Sequence, residues 1–423
     1  MANGKAYDLL HQLTKQVGGR LAGSPQFAKA VQWGKVSMEA MGADRVYLQE
    51  CMVPHWVRGG QDKVTVVEIN KKKEQIKLDA LALGNSIGSG PKGVTADVIA
   101  VANYDELEKR KDEIKGKIVF YNYPFNPTYI VPGRAYGESG VYRRSGASRA
   151  AKYGAVAVLV RSLTEATDNN PHTGAMVYDE QYPKIPAAAL GLKDADLLWE
   201  KCKASPVKIS LVTNAHFQPD TIGHNVIGEL IGTEFPDQYI TVGGHLDSWD
   251  VNEGAHDDGA GVVHTIEVMR ALKAIGYKPK HTIRFVLFAN EENGGRGGQK
   301  YAAEAKAKNE KHIFALESDE GGFTPRGFGF TMSAEQLIKV QAWMPLLHPY
   351  GTSDLSAGGG GSDIGPLGQT FKTPLSGLIP DNQRYFDIHH ARTDVFEAVN
   401  KRELLLGAVN MAGLIYLIDK YGL

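Results

Sequence analysis

Residues 238–250 read QYITVGGHLDSWD, and the chain beyond them keeps one pattern: EGAHDDGAGVVHTIEVMRAL at 253–272, TIRFVLFANEENGG at 282–295 and HIFALESDEGG at 312–322. Three apolar runs, 239–242, 283–289 and 313–316, are rich in β-branched and aromatic residues and read as buried parallel strands. Between the first two, Val262, Val263, Ile266, Met269, Leu272 and Ile275 recur at helical spacing, which makes a βαβ unit. Each run ends in residues that bind metals or move protons: His245 and Asp247, then Glu291 and Glu292, then Asp319. Asp257 and Asp258 stand at the mouth of the intervening helix. Open parallel sheets place their crevices at the carboxyl ends of the strands, so these side chains are expected to converge.

A hard divalent cation needs carboxylates and imidazoles from separate parts of a chain. Three strand ends and one helix start can supply them. A carboxylate can bridge two ions held roughly 3.5–4 Å apart. Glu291 and Glu292 are adjacent, so their side chains diverge, and one can meet metal while the other faces substrate as a base.

The motifs HLD, GAHDD, NEENGG, ESDEGG and HHARTD, in this order, resemble those of the co-catalytic zinc exopeptidases, a family that includes bacterial zinc aminopeptidases and glutamate carboxypeptidases. GGRLAGSP at 18–25, ESDEGGFTPRGFGF at 317–330 and HPYGTSDLSAGGGGSDIGPL at 348–367 narrow the likeness to a carboxypeptidase branch. The resemblance covers nearly the whole chain. It implies two Zn2+ per chain, with His245 and Asp319 on one, Glu292 and His390 on the other, and Asp257 bridging. Glu291 would be the general base, and Asp247 would hold the His245 ring. The Asp257–Asp258 peptide bond is expected to be cis. His256, where many relatives carry Asn, is read as non-ligating. Gly361, Ser362 and Asp363 match a segment that lies by the substrate pocket. Of the adjacent His389 and His390, the family spacing to Asp394 selects His390.

The implied fold is α/β, a mixed, mostly parallel sheet flanked by helices, with an inserted protease-associated α/β domain. Boundaries are expected at 1–80 and 214–423 for the catalytic part and at 81–213 for the insert. The Gly-rich GNSIGSGPKG at 84–93 opens that insert, and short strands at 94–101, 116–122, 155–162, 185–190 and 207–212 alternate with helices near 104–114, 142–153 and 192–202. Before it, 5–17 and 25–42 read as helices around a turn that Arg20 ties, 46–57 and 62–69 as strands, and KKKEQIK as a solvated turn. Residues 334–347 read as a helix packed through Trp343 and Leu346, 351–369 as a permissive loop, and LLLGAVNMAGLIYLI as a buried C-terminal helix.

Lys plus Arg number 47 and Asp plus Glu 48, so no basic surplus points to nucleic acid. Two cysteines, Cys51 and Cys202, make neither a disulfide framework nor a thiolate zinc site. The start MANGKAYDLL carries no signal-peptide pattern, whereas the resemblance suggests a periplasmic or secreted protein. The expected partner is a short peptide, with no nucleic acid and no membrane span, and a homodimer stays open. The reaction implied is hydrolysis of dipeptides with free termini. An aminopeptidase acting on longer peptides and a non-catalytic binding protein on the same scaffold are the rival readings.

Overall fold

The structure, a computed structural model, describes residues 1–423. It divides into two compact units: Met1–Pro54 with Asp220–Tyr385 and Asp394–Leu423, and His55–Pro219 with Phe386–Thr393.

The first unit is built on an eight-stranded sheet ordered Arg45–Val57, His216–Leu230, His281–Phe288, Phe235–His245, Lys311–Glu317, Leu375–Pro380, Pro325–Thr331 and Asp354–Ala357. The Phe235–His245 strand runs parallel to both of its neighbours. Its register pairs His245 with Phe288 and Gly243 with Glu317, so three strands end level with one another. Alternate residues serve two cores, as the twofold period of a strand requires. Phe285 and Leu287 join the core that contains the Ala260–Ala274 and Lys401–Tyr421 helices. Val286 and Phe288 join a second core with Tyr301 of the Arg296–Ala307 helix and Leu367 of the Gly365–Phe371 helix. Burial on both faces explains why the central strands read as continuous apolar runs. Each such side chain contributes about 1.5–3 kcal/mol relative to exposure.

Several expectations are corrected here. Ile275 lies past the end of its helix and is exposed. The 334–347 segment is two helices, Ala334–Gln341 and Met344–Leu347, with Pro345 in the first turn of the second. Trp343 and Leu347 are buried, while Leu346 faces outward. The 351–369 segment is not a plain loop, since it holds the strand Asp354–Ala357 and the start of the Gly365–Phe371 helix. The C-terminal helix, Lys401–Tyr421, is long and apolar enough to cross a membrane by composition alone, and 61% of its most apolar window is buried inside the fold. Its Asn410 is fully buried, with its amide donating to the carbonyls of Tyr350 and Leu406.

The second unit holds another eight-stranded sheet, ordered Lys72–Leu78, Lys63–Ile69, Val207–Val212, Val94–Val101, Ile118–Tyr121, Ala157–Arg161, Ala187–Leu190 and Ala80–Ala82. All of KKKEQIK after its first lysine is therefore strand, and only Lys71 belongs to a turn. Asn70 and Lys71 take positive φ, 49° and 62°, and reverse the chain so that Lys72–Leu78 pairs antiparallel with Lys63–Ile69. Its lysines suit an edge strand, where charge discourages pairing with other chains. Lys63–Ile69 also pairs with Val207–Val212, and the compact division falls after Pro54. The 386–393 segment belongs to this unit as well: Phe386 stacks on Tyr136 at 4.7 Å and Arg392 pairs with Asp79 at 2.8 Å. Cys51 and Cys202 are both free thiols.

Candidate metal centre

At the level strand ends of the first unit, the His245 ring is the hub. Its Nδ1–H donates to the main-chain carbonyl of Asp247 at 3.0 Å, which fixes the tautomer and turns Nε2 inward. Nε2 lies 3.1 Å from Asp319 Oδ1 and 3.2 Å from Asp257 Oδ1. Glu292 shares a cluster with His245 and Asp257 in which the ligand atoms lie within 4.8 Å of one another. Glu291 is in no such cluster and is half-buried where Glu292 is buried. Of the two adjacent carboxylates, only Glu292 joins the group.

The ring is held by the Asp247 carbonyl more closely than by its carboxylate, which lies 3.8 Å from Nδ1. That carboxylate instead accepts the main-chain N–H groups of Glu291 at 3.0 Å and Glu292 at 3.3 Å. Asn290, at φ 64°, supplies the reversal that aims both N–H groups at it.

Asp258 also sits near His245, yet its oxygens are engaged by the main chain. Oδ2 accepts His245 N at 3.0 Å and Oδ1 accepts Gly261 N at 2.9 Å at the start of the Ala260–Ala274 helix. Asp394 makes a similar clamp, accepting His256 N at 2.7 Å and Asp257 N at 3.1 Å. The Asp257–Asp258 peptide bond is cis. The His256 ring has both nitrogens occupied: Nδ1 accepts Gly322 N at 3.1 Å and Nε2 donates to Ala398 O at 3.2 Å. It stacks on Phe323 at 4.3 Å, and burial pushes its pKa down to about 4.

Glu317, to which the motif pattern assigns no role, ends the same strand that leads to Asp319. It is fully buried, and burial, reinforced by Asp319, raises its pKa. Its carboxylate accepts Asp363 N at 3.1 Å and Ile364 N at 2.9 Å. A Cβ on Gly361 would fall 2.0 Å from Glu317 Cδ, so only glycine lets the Gly361–Ser362–Asp363 segment rest there. Ser362 is exposed, whereas Asp363 is buried beside Glu317.

His390 is carried by the second unit. Its Nδ1 is 3.3 Å from the Thr173 carbonyl and 3.4 Å from Arg143 Nη1. His389 stacks on it at 3.6 Å, and the His389 carbonyl lies 2.7 Å from His172 Nδ1.

The donor set of the first unit suits a hard cation. One imidazole meets the buried carboxylates of Asp257 and Glu292 and the partly exposed one of Asp319, and burial raises the nearby Asp247 to about 6 and Asp394 to about 7. Burial also raises Asp319 despite the neighbouring His245. Buried carboxylates that resist ionisation are the environment in which a divalent ion is the natural counter-charge.

A profile of Peptidase family M28 matches residues 225–413. Carboxypeptidase Q of Homo sapiens is 35% identical over 418 residues, 99% of this chain and 86% of that protein. The chain belongs to peptidase family M28. Carboxypeptidase Q of Xenopus laevis is 38% identical over 395 residues, 93% of this chain and 81% of that one. Among solved M28 structures, a Peptidase M28 precursor from Shewanella amazonensis SB2B superposes with a TM-score of 0.93 at 33% identity, covering 99% of this chain and 93% of that one. BSAP, a zinc aminopeptidase from Bacillus subtilis, shares the M28 fold with a TM-score of 0.70 at 20% identity, over 97% of this chain and 94% of that one.

Proposed function

We propose that this M28 peptidase is a zinc-dependent exopeptidase that hydrolyses short peptides, dipeptides with free termini above all. The observation that carries the reading is that His245 gathers Asp257 and Glu292 in one group of donor atoms and Asp319 in a second, with Glu291 in neither. In this proposal those four residues and His390 hold two Zn2+. The first four rest on geometry and motif together, and His390 rests on the HHARTD motif.

Zinc, when bound, supplies Lewis acidity toward water and the scissile carbonyl. The chain's own residues do the rest. Glu291 takes a proton from the attacking water and returns it to the leaving amine. Asp247 fixes the main chain of Glu291 and Glu292, and its carbonyl orients His245. Residues 81–213, read as a protease-associated insert, and the Gly361–Ser362–Asp363 segment shape access for a peptide of two residues. The similarity to Carboxypeptidase Q supports the preference for a free carboxylate terminus.

The test is a panel of dipeptides against the same dipeptides amidated or extended by one residue, with added zinc and with chelator. A site built to pair a terminal charge rejects an analogue that lacks it, so kcat/KM should fall at least about tenfold on amidation or extension. Equal rates on a dipeptide and its C-terminally extended tripeptide would reject the dipeptide reading and leave the metal chemistry standing. Full activity in chelator after metal removal would reject the metal chemistry.

A further inference from the structure

The loop between His245 and Asp257 has no helix or strand from Leu246 to Gly254. Its two ends nevertheless carry side chains that meet at 3.2 Å. A loop without a hydrogen-bond ladder needs side chains to hold its course.

The segment Gly18–Arg20 does this. Arg20 is completely buried. Its Nε donates to Leu246 O at 2.6 Å, Nη1 to Glu253 O at 2.8 Å and Nη2 to Gly254 O at 3.0 Å. Its main-chain N–H donates to Ser248 Oγ at 3.2 Å. A Cβ on Gly19 would lie 2.8 Å from Asn252 O and 2.9 Å from Trp249 O, so the segment is seated against the loop at close quarters. One guanidinium therefore grips the first residue after His245 and the last turn before Asp257. No carboxylate lies within ion-pair distance of it. Burial pulls its pKa down, and Asp394, Asp247, Asp258 and Glu292 oppose that at longer range.

We propose that Arg20 is a positioning residue of the metal centre: its fork holds the Leu246–Gly254 loop so that His245 and Asp257 keep the spacing that a bound cation requires. It touches neither side chain and acts through the loop that joins them. This rests on the reading of His245 and Asp257 as zinc ligands. Only a planar fork with donors on three nitrogens can reach three carbonyls in this way, and a lysine ammonium is a single point.

The sign of one measurement separates three roles. Zinc affinity is measured by competition with a chromogenic chelator on purified Arg20→Gln and Arg20→Lys proteins, alongside their thermal unfolding. A clamp predicts zinc binding about 10–100-fold weaker in both, the range for losing a group that orients ligands. A purely electrostatic role predicts tighter binding in Arg20→Gln, since removing a positive charge favours a cation. A purely structural tie predicts a lower Tm with zinc affinity of the folded protein within about threefold of the unmodified chain. Either of the last two results overturns the proposal, as does full recovery of affinity in Arg20→Lys. Should neither variant fold, Gly19→Ala displaces the same segment with the charge intact and is expected to weaken zinc binding by about tenfold; unchanged affinity there also overturns it. If the unmodified protein binds no zinc, or binds it undiminished after His245→Ala, the ligand assignment itself fails and this proposal falls with it.

Discussion

The carboxylate of Asp247 accepts the main-chain N–H of Glu291 at 3.0 Å, and so holds the proposed base by its backbone and leaves its side chain unconstrained. The same carboxylate takes Glu292 N at 3.3 Å. One buried acid therefore sets the course of two adjacent residues with different tasks. Asn at this position keeps one acceptor oxygen and presents an amide N–H to the other donor. Asp247→Asn is expected to lower kcat about 10–100-fold, the usual effect of removing a group that orients ligands. An unpaired buried N–H also costs about 1–3 kcal/mol of stability. Steady-state kinetics and thermal unfolding on the same preparation check both effects. Unchanged kcat with a lowered Tm would reduce Asp247 to a structural role.

Glu291 and Glu292 part at the main chain, and their amides should behave differently. Glu291→Gln keeps size and loses the basic oxygen, so turnover is expected to fall about 10²–10⁴-fold with zinc content nearly unchanged. Glu292→Gln weakens a proposed ligand, so it should lower zinc content first. Metal analysis beside kinetics distinguishes them. Loss of turnover in Glu292→Gln with zinc retained, together with a nearly silent Glu291→Gln, would reverse the two roles.

Protein purified without chelator, or reconstituted with zinc, is expected to carry two equivalents of zinc per chain. Substituting His390→Ala should remove close to one equivalent, because the motif places it on one ion only. Less than one equivalent in the reconstituted unmodified protein would falsify the two-metal proposal.

What could be read from the sequence was local order and residue type. The three strand ends and the helix mouth are short-range features, and hydrophobic period with HLD, GAHDD, NEENGG and ESDEGG locates them within a few residues. Features decided by long-range pairing were less legible. KKKEQIK looks solvated because its lysines are solvated, yet Asn70 and Lys71 fold it back as an edge strand. The compact unit that begins after Pro54 includes Lys63–Ile69, which pairs with a strand more than a hundred residues later. Glu317 escaped notice since nothing in its own neighbourhood foretells that residues 363 and 364 return to it. Arg20 reads as an arginine tie, but the three carbonyls it ties lie more than 200 positions away in sequence. Membership of His389 and His390 in the second unit follows from Phe386 on Tyr136 and Arg392 on Asp79, contacts with no signature in the HHARTD motif.

The buried carboxyl groups set a pH dependence that zinc should remove. In the metal-free protein burial raises Asp247 to about 6 and Asp394 to about 7, against an ordinary aspartate value of 3.8. Between those values the folded chain keeps protons that the unfolded chain has lost. Stability then falls with rising pH, since the slope follows the protons bound by the unfolded state minus those bound by the folded state. His245 acts in the same direction. Burial opposes its charge, but Asp319 and Asp257 more than reverse this and raise its pKa well above 6.5, so its contribution is present below that value and is lost as pH climbs through the raised one. Zinc would replace the proton on His245 and, as a nearby cation, lower the pKa of the surrounding carboxyl groups. Chelator-treated protein is therefore expected to lose several degrees of Tm between about pH 5 and 8, and zinc-loaded protein to show a flatter profile over the same range. Zinc addition to metal-free protein near pH 6 should also release protons, measurable in weakly buffered solution with an indicator dye. A metal-free Tm that rises from pH 5 to 8 would show that these carboxylates are ionised and paired within the protein, and would leave the cluster without its need for a metal.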